Sequence, residues 1–221
     1  MDCRAVLFDL DGTLLDTAPD LVAACRHTLE KYGIKDADEE RIRAVLTSGM
    51  RAMMLSCIHP EDCHKYDVEG EMRKEFAAYY LGHINVHTRP FPGIPELLDG
   101  LVKDGIEVGV ITSKYENMAQ KLLKEYPFYD HLALVLGCDS LERSKPDPLP
   151  LNTALKRLSL DASQAVYIGD HVNDILCANH ANVLSALAEW GYGERECDFS
   201  PSRIDIRLRE PLDLLDWLEN H

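Results

Sequence analysis

The feature that most constrains this chain is an interrupted alternation of strand-like and helix-like segments. Residues 4–10, RAVLFDL, form a short apolar run that breaks at Asp11-Gly12, the pattern of a buried strand ending in a turn. Strand-like runs then become scarce until about residue 83. LVAACRHTLEKYG, EERIRAVLTSGM and EGEMRKEFAAYYLGHI instead space their apolar residues as helices do, with Gly33 as a C-cap. The Pro/Gly-rich HTRPFPGIP follows as a linker. Beyond it IPELLDGLVKDG reads as helix, IEVGVIT as strand, YENMAQKLLKEY as helix and LALVLG as strand. PLPLNTALKRLSL then reads as helix, AVYIG as strand, HVNDILCANHA as helix, NVLSALA as one more strand and EPLDLLDWLEN as a closing helix. Short apolar strands alternating with amphipathic helices predict a parallel sheet covered on both faces. The expected architecture is an α/β core of residues 1–16 and 89–221, split by a helical insertion at residues 17–88.

A length of 221 residues suits one core with a modest insertion. The 38 acidic residues against 23 Lys+Arg give a formal charge of -15, a surface that repels phosphate backbones and argues against a general nucleic-acid binder. Apolar stretches are far shorter than a membrane span, and MDCRAVLFDLDG lacks the basic flank and long apolar segment of an export signal. Seven scattered cysteines, an odd number in a chain of this size, read as reduced thiols. The expected location is the cytoplasm.

In sheets of this kind ligands sit at the carboxyl ends of the strands. Reading those ends, the first strand delivers Asp9 and Asp11, the second Thr112 and Ser113, and the fourth Asp170, with Asp174 one helical turn later. Lys145 lies in the loop SKPDPLP after the third strand. Four uncompensated carboxylates in one crevice would repel until one or more protonated. A hard divalent cation removes that conflict, and Mg2+ suits a few carboxylates together with waters and a substrate phosphate. Taken singly, Asp-Gly is a common turn and Asp a common helix N-cap; the joint pattern at successive strand ends is what points to chemistry.

FDLDGTLLDT (8–17), VITSK (110–114), SKPDP (144–148) and VYIGDHVND (166–174) resemble the four ordered motifs of the haloacid dehalogenase superfamily. TAPDLVAACRHTLEKYG, RPFPGIPELLDGL and KPDPLPL are similar to its phosphoglycolate phosphatase-like group. The resemblance implies a Rossmann-like core, a helical cap inserted after the first motif, and Mg2+-dependent phosphoryl transfer through an aspartyl-phosphate. It casts Asp9 as nucleophile and Asp11 as general acid and base. Thr112, the Ser113 backbone and Lys145 become phosphate contacts. Asp9, the Asp11 carbonyl, Asp170 and Asp174 become the Mg2+ site. The implied substrate is a small phosphorylated metabolite, phosphoglycolate first, with a nucleotide, pyrophosphate or a phosphomutase reaction as alternatives. Asp11 argues against carbon–halogen cleavage, which needs no proton donor, and the intact reactive positions argue against a non-catalytic phosphate binder.

Weaker signals remain. CIHPEDCH (57–64) mixes Cys and His, but its spacing matches no common zinc site. His171 is open between approach to the site and capping a helix, and Asp16 between shaping the hinge and a turn role. TSGMRAMM (47–54) falls where related enzymes place a specificity loop. Arg43, Gly49 and Arg51 are its candidate substrate contacts, since a guanidinium pairs bidentately with a carboxylate. ANHANV replaces the Ala-Gly pair common after the fourth motif.

Overall fold

The structure is a computed structural model that describes residues 2–193 and 197–221. It divides into two compact units, Met1–Asp16 with Pro90–His221, and Thr17–Arg89. The second boundary falls one residue beyond the expected 88/89. The two-residue strands β2 (Leu15–Asp16) and β3 (Arg89–Pro90) flank the insertion in sequence.

The first unit is built on β1 (Ala5–Phe8), β4 (Glu107–Ile111), β5 (Leu132–Leu136), β6 (Ala165–Gly169), β7 (Leu184–Ala188) and β8 (Ile206–Leu208). These form one sheet in the order β5-β4-β1-β6-β7-β8, every pair parallel. Among the described residues its α-helices are α5 (Ile94–Lys103), α6 (Glu116–Leu123), α7 (Leu149–Leu158), α8 (Val172–Ala181) and α9 (Asp213–Asn220). Because side chains alternate across a strand, Ala5 and Leu7 of β1 share a face with Ala165 and Tyr167 of β6. They join one buried cluster with Leu151, Ala154 and Leu155 of α7 and Cys177, Ala178 and Ala181 of α8.

Register decides what reaches the sheet edge. Phe8 is level with Val110 on one side and Ile168 on the other. Asp9, Thr112 and Asp170 therefore emerge within about one residue of each other at the carboxyl ends of three adjacent strands. β8 had no sequence reading, because IRL is three residues long with an exposed Arg207 between two buried positions. That is too short for an alternation to stand out.

The inserted unit holds α1 (Ala18–Lys31), α2 (Glu39–Arg43), α3 (Gly49–Leu55) and α4 (Arg73–Gly82). Gly33, at φ 80, lies just past the end of α1, in the left-handed region that a C-cap glycine supplies. Asp20, buried in the first turn of α1, accepts the backbone N–H groups of His87 (2.9 Å) and Thr88 (2.9 Å) and the Thr88 hydroxyl (2.7 Å). One carboxylate thus ties the start of the insertion to its end. The stretch expected as a specificity loop is instead a 3-10 turn, Leu46–Ser48, followed at once by α3, which begins at Gly49.

Candidate active site

Asp9 continues β1, and its backbone N–H donates to the Ile168 carbonyl at 2.8 Å, which extends the β-ladder into the site. Its carboxylate is buried beside the ammonium of Lys145, with Oδ1 2.8 Å from Nζ. Lys145 Nζ also lies 2.6 Å from Asp174 Oδ1, 3.1 Å from the Tyr167 hydroxyl and 3.2 Å from the Ile111 carbonyl. Asp174 is fully buried; its other oxygen accepts the His171 N–H at 3.0 Å, the return half of a capping box that starts α8. His171 takes the other half, its Nδ1 accepting the Asn173 N–H at 3.0 Å, so of the two roles left open for it the capping role is the one seen.

Asp170 is held from behind. Its Oδ2 accepts the backbone N–H groups of Tyr192 (2.7 Å) and Gly193 (3.1 Å), and its Oδ1 accepts the Thr13 hydroxyl (3.3 Å). Gly12 is required here. It sits at φ 85, and a methyl group on it would run into the Asp170 carboxylate and the Tyr192 ring. The segment Trp190–Gly193, which carried no sequence signal, thus acts on the site through its backbone. Trp190 Nε1 donates to the Thr13 carbonyl at 3.0 Å, and the Tyr192 hydroxyl donates to Asp16 at 2.7 Å, giving Asp16 a partner within the core.

Asp11 is partly exposed and forms an ion pair with Lys114 at 3.2 Å. That lysine, nearly buried, is a second cation that sequence reading passed over, although it follows Ser113 directly. Thr112 is buried, its backbone N–H donating to the Leu136 carbonyl at 2.9 Å, and its hydroxyl accepts the Lys114 N–H at 3.2 Å; Ser113 is exposed. In the inserted unit Arg43 pairs with Glu39 at 2.8 Å and Arg51 with Glu69 at 2.6 Å, all four side chains largely exposed. Gly49 is exposed as well. Among the described residues, those of CIHPEDCH do not gather into a metal-holding group.

The charge balance of the core cluster is uneven. Oxygens of Asp9, Asp170 and Asp174 all lie within 4.8 Å of one another. Among the described residues, the ammonium in contact with this group is that of Lys145, paired with Asp9 and Asp174. Burial pushes the Asp9 carboxyl up to about 8; Lys145 opposes the shift, while Asp174 and Asp170 add to it. Burial, then the Asp174 charge, pushes Asp170 up to about 7 against the two backbone N–H groups. Burial works against the charged form of Lys145, yet Asp174 and Asp9 together hold its pKa above the ordinary lysine value. A buried all-oxygen cluster short of positive charge fits a hard divalent cation such as Mg2+.

A pH dependence follows. In the metal-free protein Asp9 and Asp170 keep protons that the unfolded chain has released from about pH 4 upward. The folded state binds more protons than the unfolded one in that window, so the stability contributed by these groups falls as pH rises toward their folded values of about 7 and about 8. A cation occupying the cluster must displace those protons at acid pH. Mg2+ should therefore raise Tm more at pH 8 than at pH 5, read by thermal unfolding in EDTA and in Mg2+. Equal gains at both pH values would remove this cluster as the binding site.

The family model described as "Haloacid dehalogenase-like hydrolase" matches residues 6–188. The N-acetylmuramic acid 6-phosphate phosphatase of Pseudomonas aeruginosa is 37% identical over 224 aligned residues, covering 99% of this chain and 96% of that protein. The phosphoglycolate phosphatase of Neisseria meningitidis is 38% identical over 194, covering 86% and 82%. A haloacid dehalogenase-like hydrolase from Streptococcus pneumoniae superposes with a TM-score of 0.83 over 98% of this chain and 99% of that one; at 24% identity it speaks to the fold alone. With these relatives and this strand-end cluster, the chain belongs to the haloacid dehalogenase-like hydrolases, among the phosphoric monoester hydrolases similar to phosphoglycolate phosphatase.

Proposed function

We propose that this protein is a Mg2+-dependent phosphatase that hydrolyses a small metabolite carrying both a phosphate ester and a carboxylate, through an aspartyl-phosphate on Asp9. The observation that carries the reading is the buried cluster of Asp9, Asp170 and Asp174 around Lys145, set at the ends of adjacent parallel strands. Asp9, Asp170, Asp174 and the Asp11 carbonyl would hold Mg2+, which when bound neutralises the cluster and the phosphoryl oxygens. An Asp9 carboxylate oxygen forms the new bond to phosphorus while the ester P–O bond breaks, its electron pair leaving with the alkoxide. Asp11 gives that oxygen a proton, then takes one from the water that attacks the acyl phosphate, so that Asp9 and inorganic phosphate are regenerated. Thr112 and the Ser113 N–H bind phosphoryl oxygens, and Lys145 balances charge that builds on them.

The carboxylate requirement is supported by the relatives. Phosphoglycolate and N-acetylmuramic acid 6-phosphate, the compounds in their names, both pair a phosphate ester with a carboxylic acid. Phosphoglycolate is the leading candidate from the sequence. The muramic acid compound gains weight because that relative aligns over nearly the whole of both chains. Selection would lie in residues 17–89, with Arg43, Gly49 and Arg51 the candidate contacts. Arg43→Ala or Arg51→Ala should then lower kcat/KM for the preferred acid by roughly tenfold or more, the value of one charge-assisted hydrogen bond, and spare p-nitrophenyl phosphate. Unchanged kcat/KM on both substrates would return these arginines to surface ion pairs, and equal losses on both would assign them to folding or closure. The seven scattered cysteines, an odd number, fit reduced thiols in a reducing, cytoplasmic setting. No helix among the described residues is long and apolar enough to cross a membrane.

The test is turnover at fixed Mg2+ on phosphoglycolate, N-acetylmuramic acid 6-phosphate, a neutral sugar phosphate, a nucleotide and pyrophosphate. Faster turnover of the two acids, lost in EDTA and restored by Mg2+, is expected. Preference for the nucleotide or pyrophosphate, or full activity in EDTA, would overturn it.

A further inference from the structure

Tyr167 lies in the apolar cluster between the sheet and the helices α7 and α8, and it brings that cluster its one hydroxyl. The ring is fully buried, while the hydroxyl contacts three groups at the catalytic end: Lys145 Nζ at 3.1 Å, Ile111 carbonyl oxygen at 2.8 Å and Asp174 Oδ1 at 3.0 Å. An ammonium has three N–H groups to give. Around Lys145 three acceptors stand ready for them: the Ile111 carbonyl, the Tyr167 hydroxyl and Asp174 Oδ1. Asp9 Oδ1 is a fourth neighbour at 2.8 Å, yet this buried oxygen has no hydrogen-bond partner among the described residues. With four neighbouring oxygens and three N–H groups to share, Asp9 Oδ1 feels the positive charge without commanding an N–H of its own.

For a nucleophile this is a useful arrangement. A charge beside the carboxylate favours its ionised form against the burial, whereas an N–H aimed at its oxygen would occupy a lone pair that must reach phosphorus. We propose that Tyr167 is a positioning residue: by accepting one N–H of Lys145 it holds the ammonium beside Asp9 while withholding a hydrogen bond from the attacking oxygen. This rests on the reading of Asp9 as nucleophile. In Tyr167→Phe the ring still fills the cluster, one Lys145 N–H loses its acceptor, and Asp9 Oδ1 is a near replacement. A tyrosine that merely satisfied its hydroxyl in the core would affect stability and leave the attack alone.

p-Nitrophenyl phosphate isolates the step. As the Asp9–phosphorus bond forms, the ester bond breaks with its electron pair on p-nitrophenolate, which needs no proton from Asp11. For the Mg2+-loaded protein, Tyr167→Phe is expected to lower kcat/KM on this substrate about tenfold, the value of one hydrogen bond. Inhibition by inorganic phosphate, which reports binding without attack, should stay within about twofold of wild type. Unchanged kcat/KM would overturn the proposal. So would a parallel loss of kcat/KM and phosphate affinity, or a variant that does not fold, since either assigns the hydroxyl to the scaffold. Failure of the underlying reading is distinguishable: Asp9→Asn would then turn over like wild type, and both would fall.

Discussion

Asp9→Asn is expected to fold as the wild type does and to lose turnover of p-nitrophenyl phosphate by about four orders of magnitude or more, the scale seen when a covalent nucleophile is removed. An amide oxygen is a poor nucleophile and brings no charge to a cation. The fold should tolerate the change because Asp9 is a buried acid pushed up to about 8, which its surroundings already favour in the neutral form. Asn keeps the shape and removes the desolvation cost of the charge. Circular dichroism and thermal unfolding check the fold, and steady-state assays check the rate. A folded Asp9→Asn variant with wild-type turnover would end the covalent mechanism proposed for this site.

Lys145→Met is expected to be the most damaging substitution for stability. The side chain is 3% exposed and lies between two buried carboxylates, Asp9 at 2.8 Å and Asp174 at 2.6 Å. Removing one partner from a buried ionic cluster strands the others, typically at about 3–5 kcal/mol. The deficit should depend on pH. With the ammonium gone, Asp9 favours protonation in the folded state more strongly, so the folded form binds more protons than the unfolded one above about pH 4, and stability falls as pH rises. Urea unfolding at pH 5 and pH 8, without metal, should show the larger deficit at pH 8. A deficit independent of pH would mean that Lys145 matters for packing rather than charge.

How much of this was legible in the sequence follows from the range of the interactions. RAVLF, EVGVI and AVYIG declare themselves as strands because a buried parallel strand must be apolar on both faces, and the residue ending each run is read directly. Asp9, Thr112 and Asp170 are visible for that reason. Lys145 follows no strand directly, and only the motif around it distinguishes it from a solvated loop lysine. What escaped depends on tertiary contact. Tyr167 is one apolar-looking letter in a strand, and nothing local says that its hydroxyl meets Lys145, 22 residues away. Lys114 meets Asp11 across 103 positions (114 − 11), and Tyr192 and Gly193 act through backbone N–H groups, which carry no sequence signature. Gly49 and Arg51 were expected in a loop because TSGMRAMM falls where related enzymes place a specificity loop. Here the glycine begins a helix, and the apolar Met53 and Met54 that follow are buried and hold the helix in place.

The central claim is that the phosphoryl group passes through Asp9. The most direct measurement is an acid quench of the Mg2+-loaded protein within the first turnovers of p-nitrophenyl phosphate, followed by peptide mass spectrometry. A single phosphoryl group on the peptide containing Asp9, formed as fast as the first p-nitrophenolate is released and absent from Asp9→Asn, is the expected result. Release of p-nitrophenolate with no phosphorylated peptide, or with the group on a residue other than Asp9, would contradict it.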